Sequence, residues 1–338
     1  MISRRGFLRS MSVSLLAAPL AAEAQRSGQP ARVGTLLVGP PLSPEELAKF
    51  ISTSPFWLAM KDLGWVSGQS VVAERRYGES ADQLRAAAAD LVRLKVDVLF
   101  VGSAGLAKIL QLETKTIPIV VGGAGGDLVA GGLVASLARP GGNLTGVQIR
   151  NDDLTPKLVE FLKTLVPNLS RFAYLQEDVT LSAVPQMVAL YDQQAAAAAR
   201  TLGLKVHHVI VHRPGEFTTA FLGMTENRDQ GLLVMSTPFF VVHRKEIVEL
   251  AARHRIVAIY ESPSFVEAGG LMSYSANRPE IARRGAVFVD KILRGAKPGD
   301  LPIEQAAKFE LVVNLKAAKA LGLTIPPSLL GRADRVIE

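Results

Sequence analysis

Short β-branched runs alternate along this chain with longer stretches of helical period. RVGTLLVG at 32–39 predicts a strand, 44–65 a helix, 70–77 a strand, and 80–95 an alanine-rich helix with Ser80 as its N-cap. The near-continuous apolar runs at 96–101 and 117–121 suit central strands covered on both faces, and both end in small residues. A second series starts after Val147: helix 155–165, strand 171–175, helix 182–202, strand 205–211, helix 216–225, strand 231–235, helix 243–254 and strand 256–260. The tail adds a helix at 279–293, a Gly/Pro-containing link at 295–302, a strand at 309–313 and a short helix at 315–321. Strand and helix in alternation give parallel sheets with crossover helices, so the expected fold is α/β, with the two series as two lobes. The two series share a rhythm but no residue-level repeat.

The first residues break this rhythm. SRRGFLRSMSVSLLAAPLAAEAQ carries Arg4 and Arg5, an apolar stretch too short to span a bilayer, and Ala22-Glu23-Ala24 where a signal peptidase cuts. Residues 1–24 are therefore expected to be a cleaved export signal, similar around Arg4-Arg5 to the twin-arginine type, with an ordinary secretory signal as the alternative. Either route places the mature protein in the periplasm.

The chain has no cysteine, which excludes a lipid-bearing cysteine after the cut, a disulfide framework, a thiolate zinc site and a thiol nucleophile. Without Arg4, Arg5, Arg9 and Glu23 the formal charge falls from +7 to +5. Lys and Arg are spread over helices that also carry Glu and Asp, so no nucleic-acid partner is expected. After the signal no apolar run approaches the ~20 residues of a membrane-spanning helix, so no membrane insertion is expected.

GGLVASLARPGGNLTGV (131–147), FVEAGGLMSYSAN (265–277), VDKILRGAKPGDLPIEQ (289–305) and the final KFELVVNLKAAKALGLTIPPSLLGRADRVIE (308–338) resemble the ABC transporter substrate-binding family that includes the tryptophan-binding type. The resemblance covers nearly all of the mature chain, also taking in LGWVSGQSVVAERRYGES (63–80) and LAARHRIVAIY (250–260). It implies a type I periplasmic binding fold, α/β with two Rossmann-like lobes joined by hinge strands: lobe 1 over 32–147 plus about 275–305, lobe 2 over about 148–274 plus about 306–338. It also implies a small-molecule ligand between the lobes, an amino acid (aromatic ones included) or other small carboxylate, and delivery by a monomer to the transmembrane subunits of an ABC permease.

The residues themselves point to the same place. In open α/β sheets ligands sit beyond the carboxyl ends of the strands, where helix N-termini offer unpaired N–H groups. Ser103 and Ala104 lie at such a junction, Ser103 either touching a ligand or serving only as an N-cap. Gly123, in the run 122–126, lets backbone approach a ligand. Asp127 either pairs with a ligand ammonium or caps a helix beginning near Val129. The family usually reads Gly-Asp-Pro here, and Leu128 replaces that proline. In lobe 2 Gln176 stands where the family often shows an Asn-Pro turn. Thr237 and Pro238, with Tyr260 and Glu261, end the next strands as the opposing wall. Phe239 or Tyr260 could stack on an aromatic ligand or belong to the core, and Tyr274 is expected near a hinge.

Catalytic chemistry is poorly represented. His208 and His212 share a strand face but stand about 13 Å apart at about 3.3 Å per residue, too far to clasp one ion, and His207 points the other way. No metal and no cofactor is expected. Gly102-Ser103-Ala104-Gly105 lacks the G-x-S-x-G spacing of a nucleophile elbow. The expectation is a binding protein, not an enzyme. The alternatives are an exported α/β hydrolase using Ser103 or Asp127, and a sensory ligand-binding module.

Overall fold

The structure is a computed structural model that describes residues 29–149, 154–306 and 308–338. The expected export signal at 1–24 lies outside the described residues.

The first series forms β1 (Ala31–Val38), α1 (Pro44–Thr53), α2 (Pro55–Asp62), β2 (Val71–Gly78), α3 (Ala81–Arg93), β3 (Val98–Val101), α4 (Ala104–Glu113), β4 (Ile119–Gly125) and β5 (Leu144–Ile149). The second forms α5 (Leu154–Leu165), β6 (Arg171–Glu177), α6 (Pro185–Thr201), β7 (Lys205–Val211), α7 (Phe217–Glu226), β8 (Gly231–Val234), α8 (Pro238–Val242), α9 (Arg244–Arg253), β9 (Val257–Tyr260), α10 (Pro263–Glu267) and β10 (Met272–Ala276). The tail supplies α11 (Arg278–Leu293), β11 (Glu304–Ala306), β12 (Phe309–Asn314), α12 (Leu315–Ala320), α13 (Pro327–Leu330) and β13 (Arg335–Ile337).

Two sheets result. The first has six parallel strands in the order β11-β5-β4-β3-β1-β2. The second has seven, β13-β12-β10-β9-β8-β6-β7, parallel except where β12 runs antiparallel to β10 with Tyr274 opposite Leu311. The chain changes sheet between β5 and α5, between β10 and α11, and between β11 and β12. At these crossings β5 carries the first sheet to Ile149, β10 keeps the second to Ala276, and β11 returns the first to Ala306.

Each sheet is buried by its own helices. Phe56, Trp57 and Met60 of α2 and Ile281, Phe288 and Val289 of α11 cover one face of the first sheet over Val33, Val98 and Val120. Phe56 stacks on Phe100 at 4.0 Å. Trp65 Nε1 donates to Asp290 at 2.8 Å and ties the end of α2 to α11. This packing is why α11, though it follows ten strands, belongs to the first lobe. Within that sheet, Gly146 adopts φ +132°, and a Cβ there would meet the Val121 carbonyl of the neighbouring strand at under 3.0 Å.

Some sequence expectations change. The helix expected over 44–65 is two, because Pro55 has no N–H to continue the ladder and Ser54 turns to φ −66°, ψ 127°, ending α1 and starting α2. The helix expected from 182 starts at Pro185, after a 3₁₀ turn over Leu181–Ala183. β10 escapes the apolar pattern because it alternates Met and Ala with Ser273 and Ser275, yet both serines are buried. β11 and β13 are three-residue strands set by pairing with β5 and β12, not by their own sequence.

Candidate functional site

The strands of the two sheets aim their carboxyl ends at one another, and a cavity of about 60 Å³ lies between them. Its two walls differ in kind. From the first lobe come Gly102 to Gly105 after β3, Gly123 and Gly125 of β4, and Ile149 of β5, so that wall is mostly glycine, with Ser103, Ala104 and Ile149 as its side chains. The second lobe supplies side chains: Leu154 of α5, Thr180 and Leu181 after β6, Met187 and Tyr191 of α6, Met235 to Pro238 after β8, and Glu261 after β9. Arg278, the first residue of α11, enters from the crossing between lobes.

Ser103 caps α4, its Oγ accepting from the Leu106 amide at 3.3 Å with φ −151°, ψ 157°. Two residues on, Gly105 meets the opposite lobe directly: a Cβ there would sit under 3.0 Å from the Thr180 carbonyl oxygen. Thr180 is held rigidly, because buried Glu177 accepts from its amide at 2.8 Å and its hydroxyl at 2.6 Å. Burial pushes the Glu177 carboxyl up, and these Thr180 hydrogen bonds pull it back. Gly126 closes in the same way against Met187 and Tyr191, and Gly39 beyond β1 meets Val242 of α8. The lobes are thus in contact on several sides of the cavity.

Two charged side chains face into it. Glu261 is pushed up to about 7 by burial, with the Ser236 amide and the Arg278 charge drawing it down. Burial lowers Arg278, and Glu261 and Tyr191 act against that. Arg278 Nη2 donates to the Ser236 hydroxyl at 3.0 Å, and the Ser236 amide donates to Glu261 Oε2 at 3.2 Å. A carboxylate and a guanidinium removed from water remain costly unless partnered, so they are natural receivers of a polar ligand.

Of the residues singled out from sequence, Ser103, Ala104, Gly123, Thr237, Pro238 and Glu261 line the cavity. Thr237 also caps α8, accepting from Phe240 N at 3.2 Å. Asp127, Gln176 and Tyr260 lie outside the lining. Asp127 is exposed and accepts from the Val129 and Ala130 amides at 2.8 and 3.1 Å, capping a turn where a helix was expected. Gln176 is 2% exposed and donates to Asp192 at 2.8 Å, with His208 Nδ1 at 3.3 Å from its oxygen. Tyr260 is stacked on Phe265 at 4.8 Å, and Phe239 packs against Phe217 and Phe240, so both aromatic candidates belong to the core. Tyr274 lies on β10 beside the crossing and stacks on Phe309. His207 pairs with Asp229, His208 with Asp192 and His212 with Asp178. No cluster of His, Cys, Asp or Glu able to hold a metal occurs among the described residues.

The sequence reading missed Arg278, Thr180, Met187 and Tyr191. Arg278 carried one usable signal: it follows Asn277, whose side chain accepts from Glu280 N at 2.8 Å, and a charge directly after a strand end and helix cap sits at the mouth of the fold.

Comparison with known proteins agrees with this geometry. A family model described as ABC transporter substrate binding protein matches residues 53–337. A tyrosine-binding protein from Clostridioides difficile is 24% identical over 271 residues, covering 79% of this chain and 75% of that one. Among solved structures, an ABC domain in complex with L-Trp from Streptococcus pneumonia matches with a TM-score of 0.78 at 24% identity, over 91% of this chain and 100% of the other. A ligand-free, open structure of a substrate binding protein with adhesive properties from Clostridium difficile matches at 0.56 and 22% identity, over 91% and 99%. These likenesses show a type I periplasmic binding fold. Among the described residues no helix is long and apolar enough to cross a membrane.

Proposed function

The chain belongs to the ABC transporter substrate-binding protein family, and on that premise we propose that it is the solute receptor of an importer, exported to the periplasm. It binds a small carboxylate-bearing solute between its lobes as a monomer and presents the closed form to a permease. The observation that carries this reading is the cavity itself, built by one chain from two facing sheets, with Arg278 and Glu261 turned into it. Ligand contacts that exist only when both walls meet stabilise the closed state, so binding and closure are a single equilibrium. The similar proteins named for tyrosine and L-Trp support amino acids as the first class to try.

The hydrolase alternative has less support. Ser103 Oγ is engaged in capping α4, and among the described residues no histidine lines the cavity to take its proton.

Native mass spectrometry of protein isolated from the periplasm tests the proposal. A stoichiometric small molecule, released unchanged on denaturation, is the expected result. A bare protein that no metabolite stabilises against heat would sink it.

A further inference from the structure

Resting on that reading, we propose that Glu177 is the positioning residue of closure: its buried carboxylate fixes the turn on which the first lobe lands. Glu177 ends β6, is 1% exposed and does not line the cavity, so it acts through another residue. Both of its oxygens are committed to the residue three places on. Oε2 accepts from the Thr180 amide at 2.8 Å and Oε1 from the Thr180 hydroxyl at 2.6 Å. Two charge-assisted bonds to a single residue set its orientation as well as its place.

That orientation decides what the first lobe meets. The Thr180 carbonyl faces Gly105 of α4, where a Cβ would lie under 3.0 Å from both its oxygen and its carbon. The 3₁₀ turn that follows, Leu181–Ala183, also packs on α4. At Gly105 the contact is main chain against main chain, with no side chain between to adjust, so a small displacement of the turn opens a gap or makes a clash. On the outer side of the turn Asp178 pairs with His212 at 2.6 Å. Both of those side chains stand in water, which screens the pair, so the inner carboxylate is the firmer hold. The same group reaches a second part of the wall. Burial raises the Glu177 carboxyl, and the Thr237 hydroxyl draws it down alongside the two Thr180 bonds. Thr237 caps α8, and α8 carries Val242 to Gly39 at the end of β1. Glu177 thus stands behind two of the places where the second lobe touches the first.

The chain has no cysteine, so a pair introduced across the contact reports docking of the lobes without knowledge of the solute. Lys108→Cys, one turn along α4 from Gly105, is combined with Ser182→Cys, two residues after Thr180. The rate of disulfide formation under copper phenanthroline is then measured on the purified mature protein. A second pair, Ser170→Cys with Gln230→Cys, lies wholly in the second lobe, where the two native side chains are bonded at 2.9 Å, and serves as the baseline. Glu177→Leu, which has no acceptor, should slow the inter-lobe cross-link roughly tenfold or more and leave the baseline pair unchanged. Glu177→Gln, whose oxygen and NH₂ can still meet the Thr180 amide and hydroxyl, should stay within about threefold of the parent. Thr180→Val removes one of the two bonds and should slow the inter-lobe pair at least threefold, which keeps the test open if the leucine variant is misfolded by circular dichroism. An inter-lobe rate that neither Glu177→Leu nor Thr180→Val changes overturns the inference and leaves the solute-receptor reading standing. Equal slowing of both pairs also overturns it, because the residue then only supports the fold of its own lobe. A parent that never forms the inter-lobe cross-link overturns the inference together with closure itself.

Discussion

Arg278 and Glu261 meet through Ser236: the guanidinium donates to the serine hydroxyl at 3.0 Å, and the serine amide donates to the carboxylate at 3.2 Å. Arg278 opens the helix that packs on the first sheet, while Ser236 and Glu261 follow strands of the second. The bridge therefore spans the hinge at the place where a ligand would be read.

Replacing Arg278 tests that role. Arg278→Met removes a charge-assisted donor worth about 1.5–3 kcal/mol, so ligand affinity should fall on the order of 10- to 100-fold. Arg278→Lys, with a point charge on a shorter stem, should lie between the two. Titration calorimetry on the three proteins gives the ranking, and equal affinities would remove Arg278 from the site.

The Glu261 carboxyl carries a pH signature. Its folded value is about 7 against 4.5 for the free side chain. Below 4.5 both states hold the proton and nothing differs. Between the two values the folded protein binds more protons than the unfolded one, so stability falls as pH rises, by roughly 3 kcal/mol once pH passes 7. Urea unfolding of the ligand-free protein at pH 5 and pH 8, compared with Glu261→Gln, should show this loss in the parent and a flatter profile in the variant. Parallel profiles would refute the buried, raised carboxyl.

Closure can be separated from folding at Gly105. A methyl group there would collide with the Thr180 carbonyl, yet alanine is the better helix former by about 1 kcal/mol. Gly105→Ala should keep or raise thermal stability without ligand, weaken ligand binding at least tenfold, and enlarge the radius of gyration in small-angle scattering. An unchanged radius with full affinity would show that the lobes need no such close approach.

Gly146 is the corresponding test of the first sheet. With φ +132° and the Val121 carbonyl in the path of any Cβ, Gly146→Ala must strain the backbone and push neighbouring central strands apart. A loss of about 3 kcal/mol or more is expected in chemical denaturation. A change below about 1 kcal/mol would contradict the register of β4 against β5.

How much of this could be read from the sequence follows from where each signal resides. VDVLFV and IPIVV announce central strands because burial on both faces demands uninterrupted apolar residues. MSYSA does not, because its serines are buried by tertiary packing that no local pattern records. The same division holds in the cavity. Ser103, Thr237 and Glu261 could be placed from sequence because they follow strands whose ends converge in this class of sheet. Gln176 and Tyr260 satisfy the same rule, but the direction of each side chain took them into the core. Arg278 comes from a helix brought in by a crossing, and Met187 and Tyr191 from the face of α6 that meets Gly126 of the other lobe, so only the three-dimensional arrangement reveals them.

The contrast between the two walls has a consequence for descent. A surface made mostly of glycine, with Ser103, Ala104 and Ile149 as its only side chains among the described lining residues, offers few positions for substitution to alter. On the proposed reading, the side chains that select a solute lie mainly in one stretch, from Leu154 to Glu261, with Ser275, Ala276 and Arg278 beyond it. A lineage could exchange that stretch as a block, inherit the rest unchanged, and acquire a new nutrient without rebuilding the half of the molecule that holds the glycine-rich wall.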